Sequence, residues 1–376
     1  MPRKMNREGL ADIPAHLLKE AEQSGIESRK KRSATFFQID HKPAYSDIEG
    51  PNKGKLEIMD IRDAIKKYRW LNDYMWKIVD REKDEFTMDA DRQLGGGYFI
   101  RIFKDQEVTM PLQSCLMITK EGFKQNVHNI IISEENSKAH IIGGCITTND
   151  IKAGRHVGVS EFFVGRNATM NFTMVHTWSP ETLVRPRSGA IVEDNATFIS
   201  NYICVKPVKD LQMYPVAFLK GKNSTARFSS LLYSQKDTVQ DTGSKVILEG
   251  DGSRAEIISR VIAKDRARVM SRGMLVANTP NAKAHLECSG LLLSEDASIS
   301  AVPELVANKT AELSHEAAVG KIADKELTYL MARGLSKEEA TSTIIRGFLD
   351  TKILGLPDNL QKYIELLMEQ MKGAGG

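Results

Sequence analysis

From about residue 95 to about residue 320 the chain alternates apolar and polar residues in short runs, and the alternation restarts after small polar turns. The turns fall at Asn167, Asn195, Asn223, Gly252, Asn281 and Asn308, in steps of 28, 28, 29, 29 and 27 residues. A fainter copy begins 31 residues earlier, at Asn136. Three positions beyond each turn stand Met170, Phe198, Ala226, Ala255, Ala284 and Ala311; five beyond stand Phe172, Ser200, Phe228, Ile257, Leu286 and Leu313. The positions between them are mostly polar: Asn171, Ile199, Arg227, Glu256, His285 and Glu312. Such period-two patterning gives strands with one buried face. A near-constant repeat with no helical segment inside it predicts a mainly β fold, a right-handed parallel β-helix over residues 95–322. An antiparallel sandwich is the alternative, but it would not need so regular a spacing.

The flanks change period. Residues 1–94 read as a helical region. In "DIRDAIKKYRWLNDYMWKIVD", Ile61, Ile65, Tyr68, Met75 and Val79 share one helical face behind Asp60 as N-cap. "LGGGYFIRIF" then reads as a turn into a strand, because no GxxxxGK[ST] occurs and a strand pattern follows the glycines. Residues 323–376 form a second helical region, expected to dock a partner. Asp324 is the expected cap of a helix ending at Arg333-Gly334, and "SKEE" from Ser336 is a capping box before Ala340, Ile344 and Phe348. After Pro357, Leu360, Ile364, Leu367 and Met371 make a third apolar stripe.

Composition narrows the class. Hydrophobic residues make up 41% and charged residues 27%, ordinary for a soluble protein. The net charge of +3 argues for no polyanion, and the one basic run, "SRKKR" (Ser28–Arg32), reads as a solvated segment rather than a nucleic-acid contact. No apolar run reaches the roughly 18 residues that a membrane span needs. The charged N-terminus carries no signal-peptide pattern, so a cytoplasmic location is expected. Cys115, Cys145, Cys204 and Cys288 form no CxxC pair, so any cysteine chemistry must come from residues that the fold gathers.

Stacked coils place equivalent residues roughly 4.8 Å apart. Cys288 follows Asn281 by seven residues, and His315 follows Asn308 by seven, so the two are expected as neighbours on adjacent rungs, with Glu316 on the opposite face. A thiolate beside an imidazole suits a soft metal or sulfide. Two such residues cannot complete a cluster's coordination, so a second subunit, Glu316 or solvent must supply the rest. Nine residues after the turns a second column reads Cys145, His176, Cys204, a line along which sulfur or metal could pass, or plain core filler. A carbohydrate-acting β-helix enzyme would need a groove of paired carboxylates, and the outward positions offer only isolated acids.

The segment "QDTGSKVILEGDGSRAEIISRVIAKDRARVMSRGMLV", continued by "NAKAHLECSGLLLSEDASISAVPELVANKTAELSHEAAVGKIADKELTYLMARGLSKEEATSTIIRGF", resembles the core of the SufB/SufD proteins of the SUF iron–sulfur assembly system. The resemblance is strong over about 240–350 and weaker back to about 95. It implies a scaffold, not an enzyme, on which iron and sulfur are assembled into a transient cluster. ATP would be hydrolysed by a partner, a SufC-type ABC ATPase docking on the C-terminal helices. Cys288, with His315 and Glu316, matches the SufB cluster site, and "HIIGGCITT" places Cys145 on the cysteine that receives sulfur in SufB. His176 and Cys204 are candidate transfer residues beside it. Met117 and Thr119 stand where SufB carries an Arg and an Asn, and the N-terminal cysteine motif of many SufB proteins is absent. The resemblance further implies a sulfur donor and recipient apoproteins. It points to a homodimer joined through the end of the β-helix, or a heterodimer with a SufB/SufD paralogue. A SufD-like structural subunit that holds no cluster is the alternative, and no flavin motif is evident.

Overall fold

The computed structural model describes Leu10, residues 13–27 and residues 32–348. The "SRKKR" run, except Arg32, and the stripe after Pro357 lie outside the described residues. The repeat is a parallel β-solenoid of about eight turns. One sheet stacks, in spatial order, strands Ala34–Ile39, Leu112–Ile118, Lys138–Thr147, Thr169–Thr177, Thr197–Cys204, Thr225–Ser234, Arg254–Ala263, Lys283–Leu292 and Glu312–Lys321, all parallel. The facing sheet runs from Tyr98–Ile102 through Phe123–Ser133 and Ala153–Val164 to Val239–Leu248, Arg268–Ala277 and Ser298–Ala307.

The corners explain the spacing. Asn136, Asn167, Asn195, Asn223 and Asn281 all have positive φ, between 53° and 60°, and Gly252 takes 69° at the equivalent corner. The left-handed region is open to Gly and tolerated by Asn, which is why these residue types recur where each coil turns into its strand. The asparagines also stack: Asn167 Nδ2 donates to Asn136 Oδ1 (2.9 Å), Asn195 to Asn167 (3.3 Å) and Asn223 to Asn195 (3.3 Å). Inward positions pack in register, Met170 on Phe198 on Ala226 on Ala255 on Ala284, and Phe172 on Ser200 on Phe228 on Ile257 on Leu286.

The apparent corner at Asn308 is out of phase with the strands, whose offset stays at 29 residues over the last three steps. Lys283 pairs with Glu312 and Ala284 with Leu313, an offset of 29 residues, not the 27 that the Asn281–Asn308 spacing suggests. The corner between Ala277 and Lys283 has five residues; the corresponding corner between Ala307 and Glu312 has four. Asn308 therefore stacks on Asn278, to which its Nδ2 donates (2.8 Å), while the backbone partner of Asn281 is Thr310. An ion pair between Lys283 and Glu312 (2.7 Å) and a His285–Ser314 hydrogen bond (2.9 Å) fix this register.

Helical character is less extensive near the N-terminus than the periodicity suggests. Strands Ala34–Ile39, Lys42–Ile48 and Leu56–Asp60 occupy part of residues 1–94. The first of them escapes a period-two reading because both its faces are covered: Phe36 joins the solenoid core, whereas Phe37 packs beneath the helix Ala15–Glu22. The stripe after Asp60 forms one helix, Ile61–Lys67, capped by Asp60 Oδ1 accepting from Arg62 N (2.8 Å), and then a 3-10 turn, Arg69–Asp73. Gly97 enters its strand with φ +118°, where a Cβ would lie 2.2 Å from the His128 carbonyl oxygen, so the glycines serve a close backbone approach. Beyond the solenoid, Asp324 is the first residue of helix Asp324–Ala332 and Ala323 holds the N-cap position without a side-chain bond. Ser336 and Glu339 do form the expected capping box, with bonds of 2.8 and 3.1 Å.

Replacing Asn195 with Ala removes the short amide that eases the left-handed corner and bonds Asn167 and Asn223, and is expected to lower stability by about 1–2 kcal/mol. Asn195→Gly keeps the corner and should lose clearly less. Equal urea midpoints for the two variants would show that backbone conformation is not what selects Asn there.

Candidate functional site

The residues with chemistry lie on two neighbouring inward columns. The first holds Cys145, His176 and Cys204 in direct register on successive strands, as the turn spacing predicts. The second, two residues earlier on each strand, runs Gly143, Met174, Tyr202, Ser230, Ser259, Cys288 and Ala317. Cys145 and Cys288 thus stand on adjacent columns five strand spacings apart, about 24 Å at ~4.8 Å per step.

Around Cys145 the interior is not filled. A cavity of about 70 Å³ is lined by Cys145, Met174, His176, His156, Tyr202 and Ser230, among others. Cys145 Sγ lies 3.6 Å from Met174 Sδ, and His176 Nδ1 is hydrogen-bonded to the Tyr202 hydroxyl (2.8 Å). His156 Nδ1 bonds Gln125 Oε1 (2.9 Å), and its ring packs on Trp178. Burial drives every titration here toward the neutral form. It pushes the Cys145 thiol up, holds His176 well below the ordinary imidazole range with help from His156, and takes His156 down to about 3. Cys204 follows the column but not the cavity. Its sulfur lies 3.8 Å from Gln240 Nε2 and from the Lys206 carbonyl oxygen, and burial raises its thiol to about 12.

From Tyr202 the second column turns to hydroxyls. Ser230 Oγ donates to Ser259 Oγ (3.1 Å), Ser271 of the facing sheet also donates to Ser259 (2.8 Å), and Ser271 Oγ lies 3.8 Å from Cys288 Sγ. Cys288 is 2% exposed; burial raises its thiol, the Ser271 contact lowers it and Glu287 raises it. Sequence reasoning missed Met174, Tyr202, Ser230, Ser259 and Ser271. The same turn count finds four of them, two residues before the Cys–His–Cys column, but the cysteines drew attention away. Ser271 lies on the other sheet and has no such signal.

The observed register corrects the expected Cys288–His315 pairing. His315 pairs with Leu286 and Cys288 with Ala317, so the two share inward parity but sit two positions apart along the strand, roughly 6.6 Å of rise. Glu316 takes the opposite parity, as expected, beside Glu287. His315 and Glu316 are both exposed. Among the described residues, no three of His, Cys, Asp and Glu gather closely enough to hold a metal ion. Cys115 is on the outer face, packed with Leu17 and Ala21. Met117 is buried in the same cluster and Thr119 Oγ1 donates to Asp40 (3.1 Å). No helix among the described residues is long and apolar enough to cross a membrane.

Neutral buried histidines make the fold acid-sensitive. The unfolded chain takes up protons as pH falls below about 6.5, while His156 resists until about 3, so stability is complete above 6.5 and declines below it. The slope reaches at most about 1.4 kcal/mol per pH unit for each such histidine. Urea denaturation between pH 7 and pH 5 should show that decline, and His156→Gln should make it shallower.

Comparison with known proteins identifies the family. A family model described as "SUF system FeS cluster assembly, SufBD core domain" matches residues 116–348. The chain is 45% identical over 370 residues to an iron–sulfur cluster assembly SufBD family protein of Methanothermobacter thermautotrophicus, covering 96% of this chain and 89% of that one. It is 47% identical over 349 residues to the Archaeoglobus fulgidus protein of the same description, covering 92% of each. A Staphylococcus saprophyticus member is 25% identical over 375 residues, covering 97% of this chain and 80% of the relative. The chain belongs to the SufBD family of iron–sulfur cluster assembly proteins.

Proposed function

We propose that this protein is a cluster-building scaffold of the SufB kind: sulfur is received at Cys145 and a nascent iron–sulfur cluster forms at Cys288 with His315 and Glu316. The reading is carried by one observation. Cys288 is buried one strand from an end of the solenoid that is left exposed among the described residues. The last strand, Glu312–Lys321, turns Leu313, His315, Ala317 and Val319 toward the interior side, and among the described residues His315, Ala317 and Val319 are left exposed. Val319 and Leu305 are 41% and 37% exposed. Covering the exposed part of such side chains is worth up to about 1 kcal/mol each. A second copy, or a SufB/SufD paralogue, seated on this end would cover them and bring a second Cys288–His315–Glu316 set to the interface, supplying the ligands that one chain lacks.

The interior supports the same reading. Cys145, the Met174–Tyr202 pair and the Ser230–Ser259–Ser271 hydroxyls mark a continuous line toward Cys288. Iron and sulfur are cargo here, and nucleotide hydrolysis belongs to a SufC-type ABC ATPase docked on the C-terminal helices, with a sulfur donor upstream and recipient apoproteins downstream. A SufD-like subunit without a cluster is favoured by a different observation, the separation of Cys288 from His315 within one chain. Co-purification with a separate SufB-like chain, and no cluster on this chain alone, would select that reading.

Anaerobic reconstitution with iron and sulfide is expected to give a visible chromophore that Cys288→Ala abolishes and Cys204→Ala retains. Full occupancy in Cys288→Ala would rule out this site. Light scattering should find a dimer that Val319→Glu converts to monomer; an unchanged mass would place the dimer contact elsewhere.

A further inference from the structure

The geometry points to a second use for the interior cavity: a binding site for Cu(I), held by Cys145 Sγ, Met174 Sδ and His176 Nε2. Thiolate, thioether and imidazole are the donor set that a soft monovalent ion selects. Two of the three already touch, the sulfurs of Cys145 and Met174 being 3.6 Å apart. The third stands in register with Cys145 on the next strand, and Tyr202 engages its Nδ1, which leaves Nε2 as the coordinating nitrogen and fixes the ring. Gly143, the register partner of Met174, makes room for the thioether, since a Cβ there would lie 2.9 Å from Met174 Cε.

Charge balance chooses between metals. No Asp, Glu, Lys or Arg lines the cavity, so one cysteine thiolate is the only anion the site can offer. Cu(I) replaces the Cys145 proton, which leaves to solvent, and the ion with its thiolate is neutral. No electron is transferred. A divalent ion in the same place would leave a net positive charge buried without a partner, which a protein interior strongly disfavours. This site goes beyond the sulfur-receiving role proposed for Cys145 and stands without it.

The test is an anaerobic titration of the full chain with Cu(I) in competition with bathocuproine disulfonate. One equivalent is expected to bind. Met174→Leu, which conserves volume, should weaken binding roughly tenfold or more, and Cys145→Ala should lose it. Cys204→Ala and Cys288→Ala should bind as the parent does, and excess Zn(II) should not displace the ion. Unchanged affinity in Met174→Leu, loss in Cys288→Ala, or displacement by Zn(II) would each overturn the assignment. Circular dichroism melts of Cys145→Ala and Met174→Leu separate loss of donors from loss of fold.

Discussion

The structure depends on the strand-to-strand hydrogen-bond ladder that locks each coil onto the one before it. In a parallel stack every inward side chain is placed by counting from a corner, so a shift of one residue would exchange its interior and exterior faces. The asparagine corners carry the count from Asn136 to Asn223 and again at Asn281, and the glycine at 252 keeps the same backbone shape. Everything said about the site inherits that count.

What the ladder stacks is unusual for a core. Apolar columns such as Met170–Phe198 and Phe172–Phe228 lie beside polar columns containing a histidine, a tyrosine, three cysteines and several serines. Buried polar groups cost stability unless they bond one another, and here they do so in sequence: Tyr202 with His176, and Ser230 and Ser271 with Ser259. The arrangement leaves a cavity around Cys145 instead of a filled interior. Desolvation favours the neutral form of His156 and His176 and the protonated form of the Cys145 and Cys204 thiols.

A solenoid has two ends, and this chain treats them differently. Near the start, helix Ala15–Glu22 and the antiparallel strands cover the first coils. At the other end, strands Ser298–Ala307 and Glu312–Lys321 are open among the described residues, with the short helices beyond them burying only Ala340 and Ser342 among their own residues. Cys288 lies one strand beneath that end, paired in register with Ala317 of the last strand.

By itself the sequence determined the β-helix, because period-two strands and αL-tolerant corner residues are local properties that repeat visibly. It also determined the Cys145–His176–Cys204 column, since the spacing there follows unbroken corners. The Cys288–His315 relation was decided only in three dimensions. Asn308 looks like a corner residue, but the corner is one residue shorter than its predecessor and the backbone hydrogen bond of Asn281 goes to Thr310. Ser271 reaches Cys288 from the opposite sheet, and Cys204 turns from the cavity toward Gln240; neither follows from spacing along one strand. Local patterning fixes which residues can face inward, whereas hydrogen-bond register and the meeting of two sheets fix which of them touch.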